Sequence, residues 1–309
     1  MNLGMPVPDH SFLVTGGAGF IGSHVAEALL HQKAKRVVAL DQVAEPGNLK
    51  HLAGLANFEW IQMPLQDRRA LERSLQDIDG VFHMAALPLG PSLEDPEQAV
   101  EVNVLGSLNV FLAASKARVK KIVYSSASSV YGDTLEVMDE SHPLNAQTFY
   151  GITKLCAELF LRPLQSKIHY VILRYMNVYG PRQSAGLIPN VLKKIVNNES
   201  PVILGDGSAS FDFVHVADVA QCNIRAMEAG VTAETFNVGS DEEFSVRQIV
   251  EMLIEYSGTH LKPTYDSNAE VPMIRRVGST AKARKILGYQ PSVKFADGLR
   301  ELVAGEVSV

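Results

Sequence analysis

A glycine-rich loop near the start of the chain constrains its fold more than any other feature. Gly16, Gly19 and Gly22 lie three residues apart, directly after the apolar run Ser11–Val14 and directly before the helical pattern Phe20–His31. A strand that turns tightly into a helix leaves backbone N–H groups and the positive end of the helix dipole facing outward, where they can bind a pyrophosphate. Glycine permits the turn and the close approach of backbone to phosphate and of helix to strand. The loop therefore predicts a dinucleotide-binding unit.

An acidic residue at the end of the next apolar run indicates which dinucleotide binds. Asp41 ends the run Arg36–Asp41, nineteen residues after Gly22, and no Arg or Lys follows it directly. A carboxylate there accepts hydrogen bonds from both hydroxyls of the adenosine ribose and repels a 2′-phosphate, so the sequence predicts NAD rather than NADP. The alternative is that Asp41 only caps a turn. The residues of this unit that are expected to bind NAD are Gly16, Gly19, Phe20, Ile21, Gly22 and Asp41.

The composition excludes several classes of protein. Of the 309 residues 46% are hydrophobic and 20% charged, as in ordinary globular proteins, and the net charge of −6 argues against a nucleic-acid surface. The two cysteines form neither a metal-ligand spacing nor a disulfide framework, which fits a reducing compartment. The sequence shows no secretion signal and no apolar run of membrane-spanning length. We therefore expect a soluble cytoplasmic protein without a metal site that binds neither nucleic acid nor membrane.

Short β-branched runs alternate with longer helical patterns through the first half of the chain. This alternation predicts an α/β fold with a doubly wound parallel Rossmann sheet, whose ligands lie beyond the carboxyl ends of the strands. The predicted strands are Ser11–Thr15, Arg36–Asp41, Phe58–Met63, Gly80–Met84, Lys121–Ser125 and His169–Arg174, and the predicted helices are Ile21–Gln32, Arg68–Gln76, Glu97–Lys116 and Thr148–Ser166.

After residue 175 proline and glycine divide the chain into shorter elements. A helix over Val216–Glu228 and a strand over Glu234–Val238 are predicted to return to the main sheet, and two more helices are predicted over Val246–Tyr256 and Thr280–Leu287. We therefore expect an NAD-binding domain made of residues 1–175 and 215–240. A smaller C-terminal substrate domain, made of residues 176–214 and 241–309, is interleaved with it.

A Tyr-x-x-x-Lys pair supplies the candidate catalytic groups. Tyr150 and Lys154 lie four residues apart on a predicted helix, so their side chains share one face. A tyrosine serves as a base near neutral pH only if its pKa falls from about 10 toward about 7, which takes roughly 4 kcal/mol. A neighbouring ammonium and an oxidised nicotinamide could supply this energy, because positive charge favours the phenolate. Tyr150 is therefore the candidate base and Lys154 its partner.

Further motifs extend this pattern over residues 11–300. They are Thr15–Gly22, Asp41, Asp67, His83–Ala86, Asn103, Tyr124–Gly132, Tyr150 with Lys154, Arg174–Pro181 and Gly205–Gly207. In these motifs the chain resembles the extended short-chain dehydrogenase/reductase family, and within it the NDP-sugar epimerases and dehydratases. The resemblance implies that Lys154 binds the nicotinamide ribose while Tyr150 takes a proton from a sugar hydroxyl.

The resemblance also implies roles for residues outside the Tyr-Lys pair. It places Asp67 near the adenine of NAD, and it has Ala85 and Ala86 line the cofactor. Asn103 is expected to support the active-site region. Asn177 matches a family asparagine that contacts the substrate.

Two serines at the end of the fifth predicted strand bear on the type of reaction. Dehydratases of this family carry an Asp-Glu pair at the positions of Ser128 and Ser129, and sugar-acid decarboxylases carry a Glu at the second position. Without a carboxylate, proton abstraction beside a transient ketone has no evident agent, whereas epimerisation at C4 requires none. The resemblance therefore favours an NAD-dependent 4-epimerase of a nucleotide sugar, with a UDP-hexose as substrate and a 4-keto intermediate.

Two other functions remain open at this point. One is a dehydratase, reductase or epimerase that acts on another nucleotide-linked or unusual sugar. The other is a non-catalytic NAD-sensing protein with the same fold, although a sensor does not require both Tyr150 and Lys154.

The chain departs from the family pattern at the hydroxyl that contacts the reacting sugar. The family has Ser or Thr four residues before Tyr131, and this chain has Ala127 there. Ser126 or Ser128 is the candidate replacement, although adjacent residues at a strand end point to opposite faces. Both serines are therefore candidate catalytic residues, and Ser126 is also a candidate substrate contact.

The chain also departs from the family where two arginines hold the pyrophosphate of the sugar nucleotide. Phe211 and Ala269 stand at those positions. Arg275 and Arg276 lie close by in sequence, and they are the candidate replacements because a guanidinium binds phosphate oxygens in pairs.

Two features are assigned to packing rather than to catalysis. His83 lies on an apolar strand and is expected to be a packed histidine with satisfied hydrogen bonds. The helices over 97–116 and 148–165 carry more apolar positions than the sheet can cover. Since the family pairs these helices across a dimer, the resemblance implies a homodimer.

Overall fold

A seven-stranded parallel β-sheet forms the centre of the computed structural model, which describes residues 4–266 and 274–307. In chain order the strands are β1 (Ser11–Thr15), β2 (Arg36–Asp41), β3 (Phe58–Gln62), β4 (Gly80–His83), β5 (Lys121–Ala127), β6 (His169–Tyr175), β7 (Asn177–Tyr179), β8 (Val202–Leu204), β9 (Ser210–His215), β10 (Glu234–Val238), β11 (Glu243–Ser245), β12 (Thr264–Asp266) and β13 (Arg275–Arg276). The central sheet has the order β10–β6–β5–β4–β1–β2–β3. Its winding reverses between β1 and β4, and ligands of such sheets bind at that point. The predicted doubly wound Rossmann fold is confirmed.

Helices cover both faces of this sheet. They are α1 (Phe20–His31), α2 (Arg68–Ser74), α3 (Leu89–Glu94), α4 (Pro96–Ala99), α5 (Ser107–Lys116), α6 (Phe149–Leu161), α7 (Leu187–Val196), α8 (Val216–Glu228), α9 (Val246–Ser257), α10 (Ala281–Leu287) and α11 (Phe295–Val307). Along β1, Phe12 and Val14 pack against α1 and α8, whereas Leu13 packs in the layer that contains α2, α5 and α6. Because side chains alternate across a strand, two covered faces require the near-continuous apolar runs seen in the sequence.

Two predicted helices are less regular than the sequence suggested. The helix predicted over Glu97–Lys116 contains a π-helical turn, Val100–Gly106, between α4 and α5. The helix predicted over Thr148–Ser166 ends as an α-helix at Leu161, and a 3₁₀ turn that contains Pro163 follows it. Proline cannot donate the backbone hydrogen bond of a helix interior, which accounts for the early end.

The elements after β6 form a smaller lobe beside the carboxyl ends of the central strands. In this lobe β9 pairs in parallel with β7 and β13 and antiparallel with β11, and β8 pairs with β12. Apolar side chains of α7, α9 and α11 pack on β9 and form a separate core. Between these segments the chain returns to the main sheet, where α8 packs on α1 and β10 pairs with β6.

Two structural features are absent from the described residues. None of the helices in residues 4–266 and 274–307 combines the length and the apolar character needed to cross a lipid bilayer. The same residues contain no group of three or more His, Cys, Asp or Glu side chains placed to hold a metal ion.

Candidate active site

The glycine loop leaves the first turn of α1 open to a ligand. Gly16 has φ +64°, and a Cβ at this position would lie 2.7 Å from the Ala85 backbone. A Cβ on Gly22 would lie 2.1 Å from the carbonyl oxygen of Gly16, so helix and loop touch without side chains between them. Gly19 is the N-cap of α1 and no side chain caps this helix. The N–H groups at the start of α1 can therefore bind a pyrophosphate, as the NAD fingerprint requires.

Asp41 lies beside this loop at the carboxyl end of β2. Its Oδ2 accepts a hydrogen bond from the backbone N–H of Ala18 at 3.2 Å, and its Oδ1 accepts one from Gln42 at 2.8 Å. The backbone N–H of Gly17 donates to Leu40 at 3.1 Å and fixes the loop to the same strand. The carboxylate is therefore oriented by the loop and remains partly exposed, where a ribose can reach it.

Asp67 follows β3 and lies at the start of α2. Its Oδ1 accepts a hydrogen bond from the backbone N–H of Ala70 at 2.9 Å, so it is the N-cap of this helix. The side chain is exposed, and Oδ2 remains available to a ligand. A contact between Asp67 and adenine stays a prediction.

A buried chain of hydrogen bonds lies under the part of the site that follows β4. The backbone N–H of Ala85 lies 3.3 Å from Thr15 Oγ1, Thr15 Oγ1 lies 2.6 Å from His83 Nδ1, and His83 Nε2 lies 2.8 Å from Ser107 Oγ. Ser107 donates to the carbonyl of Asn103 at 2.5 Å. These directions assign the proton of the neutral imidazole to Nε2. Burial lowers the pKa of His83 to about 3, so His83 is a packed and satisfied residue, as the sequence suggested.

Asn103 joins the loop after β4 to the helix that carries the Tyr-Lys pair. Its Oδ1 accepts from the backbone N–H of Leu87 at 2.6 Å, and its Nδ2 donates to the Leu87 carbonyl at 3.1 Å and to Thr153 Oγ1 at 3.0 Å. The side chain is buried, and its bond to Thr153 lies in the interior. Asn103 thus fixes the floor of the site, with Ala85 and Ala86, against α6.

Tyr150 and Lys154 share the inner face of α6. The Lys154 Nζ lies 5.8 Å from the centre of the Tyr150 ring and 5.2 Å from that of Tyr124, and it donates to the Ser125 carbonyl at 2.7 Å. Burial raises the pKa of Tyr150 to about 12 and lowers the pKa of Lys154 to about 7. Both shifts disfavour the charged forms, so added positive charge at this place favours the phenolate.

The serines at the end of β5 point in different directions. Ser126 donates its hydroxyl proton to Glu158 Oε1 at 2.5 Å in the interior. The prediction that Ser126 contacts the reacting sugar is therefore corrected, because its hydroxyl is already held by a buried carboxylate. Ser128 and Ser129 lie in the 3₁₀ turn that follows, and the Ser129 hydroxyl is buried without a hydrogen-bond partner among the described residues.

This serine turn lies against the start of α6. A Cβ on Gly151 would lie 2.7 Å from the Ser129 carbonyl, which places the turn one residue from Tyr150. In the sequence, Ser129 is notable only because the family has a carboxylate at this position. Its unpartnered hydroxyl has no signal in the sequence and is seen only in the structure.

A buried ion pair connects α6, the helix of Tyr150 and Lys154, to β6. Arg174 on β6 donates from Nε and Nη2 to the two carboxylate oxygens of Glu158 at 3.0 and 2.7 Å. Its Nη1 donates to the Tyr131 hydroxyl at 3.0 Å, and that hydroxyl donates to Asn237 at 2.7 Å. The side chains of Arg174 and Glu158 are 5% and 2% exposed. This network joins α6 to β5, β6 and β10.

The smaller lobe contains a cavity of about 610 Å³. Its walls are mostly apolar and include the turn Gly205–Ser208. The lining residues are Leu187, Asn190, Val191, Lys194, Pro201, Val202, Leu204, Gly205, Asp206, Gly207, Ser208, Ala209, Phe211, Val246 and Ile274. Among these residues, only Gly205–Gly207 and Phe211 belong to the motifs and departures seen in the sequence. A cavity of this size and character suits a flat heterocycle with a few polar edges.

The predicted substrate contacts of the lobe occupy different environments. Arg275 donates from Nε and Nη2 to Glu243 at 2.9 and 2.7 Å, and from Nη1 to the Leu135 carbonyl at 2.8 Å, so each of its three nitrogens already has a partner. Asn177 donates to the Asp212 carbonyl at 3.5 Å, and its amide oxygen accepts no hydrogen bond from the described part of the chain. Ala269 lies outside the described residues.

The chain belongs to the NAD dependent epimerase/dehydratase family, whose model matches residues 12–239. NAD is the cofactor of this family, and the open glycine loop and Asp41 fit it. A putative UDP-glucose 4-epimerase of Methanocaldococcus jannaschii is 34% identical to this chain, in a match that covers 94% of this chain and 96% of that protein.

Solved structures show the same relationship. The UDP-glucose 4-epimerase of Thermotoga maritima with UDP-glucose has a TM-score of 0.88 at 32% identity, and the match covers 95% of this chain and 97% of that one. The UDP-glucuronic acid 4-epimerase of Bacillus cereus, in complex with UDP-glucuronic acid and NAD, has a TM-score of 0.89 at 31% identity and covers 96% and 99%.

Proposed function

We propose that the protein is an NAD-dependent 4-epimerase of a nucleotide sugar, with a UDP-hexose as substrate. The observation that carries this proposal is the Tyr150–Lys154 pair beside an NAD-binding loop, with hydroxyls rather than carboxylates at Ser128 and Ser129. The named relatives that act on UDP-sugars at C4 support it.

Tyr150 is the group that moves the proton of the C4 hydroxyl. A pKa near 12 must fall to about 7 for this task, and five pKa units correspond to about 7 kcal/mol. The Lys154 ammonium contributes part of this energy, and its own pKa near 7 rises as the phenolate forms beside it. NAD, when bound, supplies the acceptor and donor for the C4 hydride. Tyr150 then returns the proton to the C4 oxygen of the inverted sugar.

The remaining residues position the substrate. We place the base in the 610 Å³ cavity of the smaller lobe and the sugar near Tyr150. Ser128 and Ser129 offer hydroxyls to the sugar, and the buried hydroxyl of Ser129 has no hydrogen-bond partner among the described residues. Asn177 offers its amide oxygen.

An NMR assay in deuterated water tests the reaction. The purified protein with NAD is incubated with UDP-glucose, UDP-galactose, UDP-N-acetylglucosamine and UDP-glucuronic acid. We expect one pair of C4 epimers to interconvert without deuterium in the product, because the C4 hydrogen never exchanges with solvent. Tyr150→Phe should lose activity by at least about 100-fold while it still binds NAD. Deuterium at C3 or C5, or elimination of water, would instead identify a dehydratase or another epimerase.

We further propose that two copies of the chain pair through α6 and the adjoining π-helical turn. The two elements touch, and together they carry apolar residues that are 42–50% exposed: Val100, Leu105, Phe149, Ile152 and Leu159. Sedimentation analysis tests the pairing, which the charge introduced by Ile152→Glu should break. Val196→Glu on α7 is the matched control, because Val196 is equally exposed outside this patch. A monomeric parent protein would refute the proposal.

We also infer that the protein works in the cytoplasm. Cys156 and Cys222 are both free thiols, which is the usual state of cysteine in a reducing compartment. Fractionation of the source cells with an antibody against the chain tests this inference, and recovery outside the cytoplasmic fraction would overturn it.

A further inference from the structure

Arg276 belongs to a row of side chains that crosses the sheet of the smaller lobe. In this sheet Arg276 pairs with Phe211 of β9, and Phe211 pairs on its other side with Phe244 of β11. The bridge between Thr134 and Arg275 brings Asp133 to the free side of Arg276. Since directly paired residues project to the same face of a sheet, Arg276 lies on the face of Phe211.

That face is the wall of the apolar cavity. Phe211 lines the cavity, and so does Ile274, which precedes Arg276 by two residues and therefore shares its face. Asp133 lies four residues after Ser129, whose turn touches the start of α6 beside Tyr150. Arg276 thus shares a face with two residues of the cavity wall and is bonded to Asp133, in the segment that follows the serine turn beside Tyr150.

The guanidinium of Arg276 is only partly satisfied. Its Nη2 donates to Asp133 Oδ1 at 3.1 Å, whereas its Nε is buried without a partner among the described residues. The side chain of Arg276 is 17% exposed and that of Asp133 is 43% exposed. A buried donor without an acceptor is unfavourable, and desolvation lowers the pKa of Arg276.

The guanidinium of the neighbouring Arg275 has more hydrogen-bond partners than that of Arg276. All three of its guanidinium nitrogens donate to Glu243 or to the Leu135 carbonyl, and it points to the opposite face of β13. Of the two guanidinium groups of this strand, Arg276 has more donors left for an incoming anion, because only its Nη2 has a partner among the described residues. The planar donor fork of arginine matches the paired oxygens of a phosphate.

We propose that Arg276 binds the diphosphate of the nucleotide substrate, one strand away from the position that Phe211 occupies. Asp133 holds the guanidinium in place until the substrate supplies the remaining acceptors. This inference rests on the proposed function, because it assumes a substrate with a base in the cavity and a sugar at Tyr150. It assigns the anion-binding role to a single residue, in place of the two arginines that the family resemblance implied.

Calorimetric titration of the NAD-saturated protein with uridine, UMP and UDP tests the assignment. Arg276→Met should weaken UDP binding by about 10- to 100-fold, as expected for the loss of charge-assisted hydrogen bonds, and uridine binding by less than about threefold. Arg300→Met, a surface arginine of the same lobe, is the matched control and should leave both affinities unchanged. Uridine binding also shows that the variant is folded.

A second variant places the charge back on the neighbouring strand. In the double variant Phe211→Arg/Arg276→Met, UDP affinity should return to within about fivefold of the parent, because the new guanidinium projects from the paired position on the same face. If Arg276→Met fails to bind uridine, Arg276→Lys keeps the charge without the fork and should still lower the UDP-to-uridine affinity ratio.

The outcomes separate the two proposals. An unchanged UDP-to-uridine ratio in the Arg276 variants would overturn the assignment of the diphosphate to Arg276 and leave the proposed function intact. A parent protein that binds neither UDP nor uridine would refute the proposed function itself.

Discussion

Replacement of Glu158 by leucine should destabilise the protein strongly, because Arg174 would lose its buried counter-charge. Glu158 accepts two hydrogen bonds from Arg174 and one from Ser126. Removal of one partner of a buried ion pair typically costs about 3–5 kcal/mol. With an unfolding entropy of about 2.1 cal/mol/K per residue over 309 residues, roughly 0.65 kcal/mol/K, this loss lowers Tm by about 5–8 °C.

The double variant Glu158→Leu/Arg174→Met tests the cause of that loss. It removes both charges and leaves apolar side chains of similar size, so it should recover most of the stability, within about 2 kcal/mol of the parent. The remaining deficit reflects the Ser126 and Tyr131 hydroxyls, each of which loses a hydrogen bond worth about 1 kcal/mol.

Urea unfolding followed by circular dichroism measures all four members of this double-mutant cycle. Glu72→Leu is the matched control, because Glu72 pairs with Lys116 at the surface and should change stability much less. If the double variant is no more stable than Glu158→Leu, then the unpaired charge of Arg174 is not the cause and the reasoning fails.

Three further predictions concern the cofactor loop, the buried histidine and the floor of the site. Gly16→Ala should abolish measurable NAD binding, because the backbone at this position has φ +64° and the new Cβ would lie 2.7 Å from the Ala85 backbone. Gly47→Ala is the control and should bind NAD normally in the same titration, because a Cβ on Gly47 would have no atom within 4 Å. The pKa of His83 is about 3 in the folded state and about 6.5 in the unfolded state, so the unfolded state binds more protons and the free energy of unfolding falls as the pH drops below 6.5. Urea titrations at pH 7.5 and pH 5 should show that His83→Gln removes about 2 kcal/mol of this pH-dependent loss. Asn103→Ala should cost about 1–3 kcal/mol and lower kcat, since it frees the loop after β4 from α6; an unchanged kcat in steady-state assays would contradict that coupling.

The central sheet could be predicted because the apolar composition of each strand reflects its burial. Strands buried on both faces need continuous apolar runs, and β1, β2 and β10 begin and end where those runs do. The helix α11 lay outside the prediction, since Gly298 and Gly305 argue against a helix. Its reason is tertiary: a Cβ on Gly298 would lie 2.3 Å from the Tyr179 hydroxyl.

In the candidate site, too, local sequence patterns predicted some residues and tertiary contacts determined the others. Local spacing predicted the glycine loop and placed Tyr150 and Lys154 on one helix face. The direction of Ser126 depended on Glu158 and Arg174, which come from a helix and a strand elsewhere in the chain. Pairing across strands, which no local pattern contains, likewise placed Arg276 beside Phe211.

The geometry of the site depends on the number of residues in the π-helical turn Val100–Gly106. A π turn holds more residues than an α turn, and one residue corresponds to about 100° of rotation in an α-helix. Deletion of one residue here would restore regular α geometry and swing Asn103 away from Leu87 and Thr153. Apart from Asn103, this segment can tolerate substitutions that respect burial, whereas it cannot tolerate a single-residue insertion or deletion. Among descendants of this chain, the segment should vary in sequence while its length stays constant.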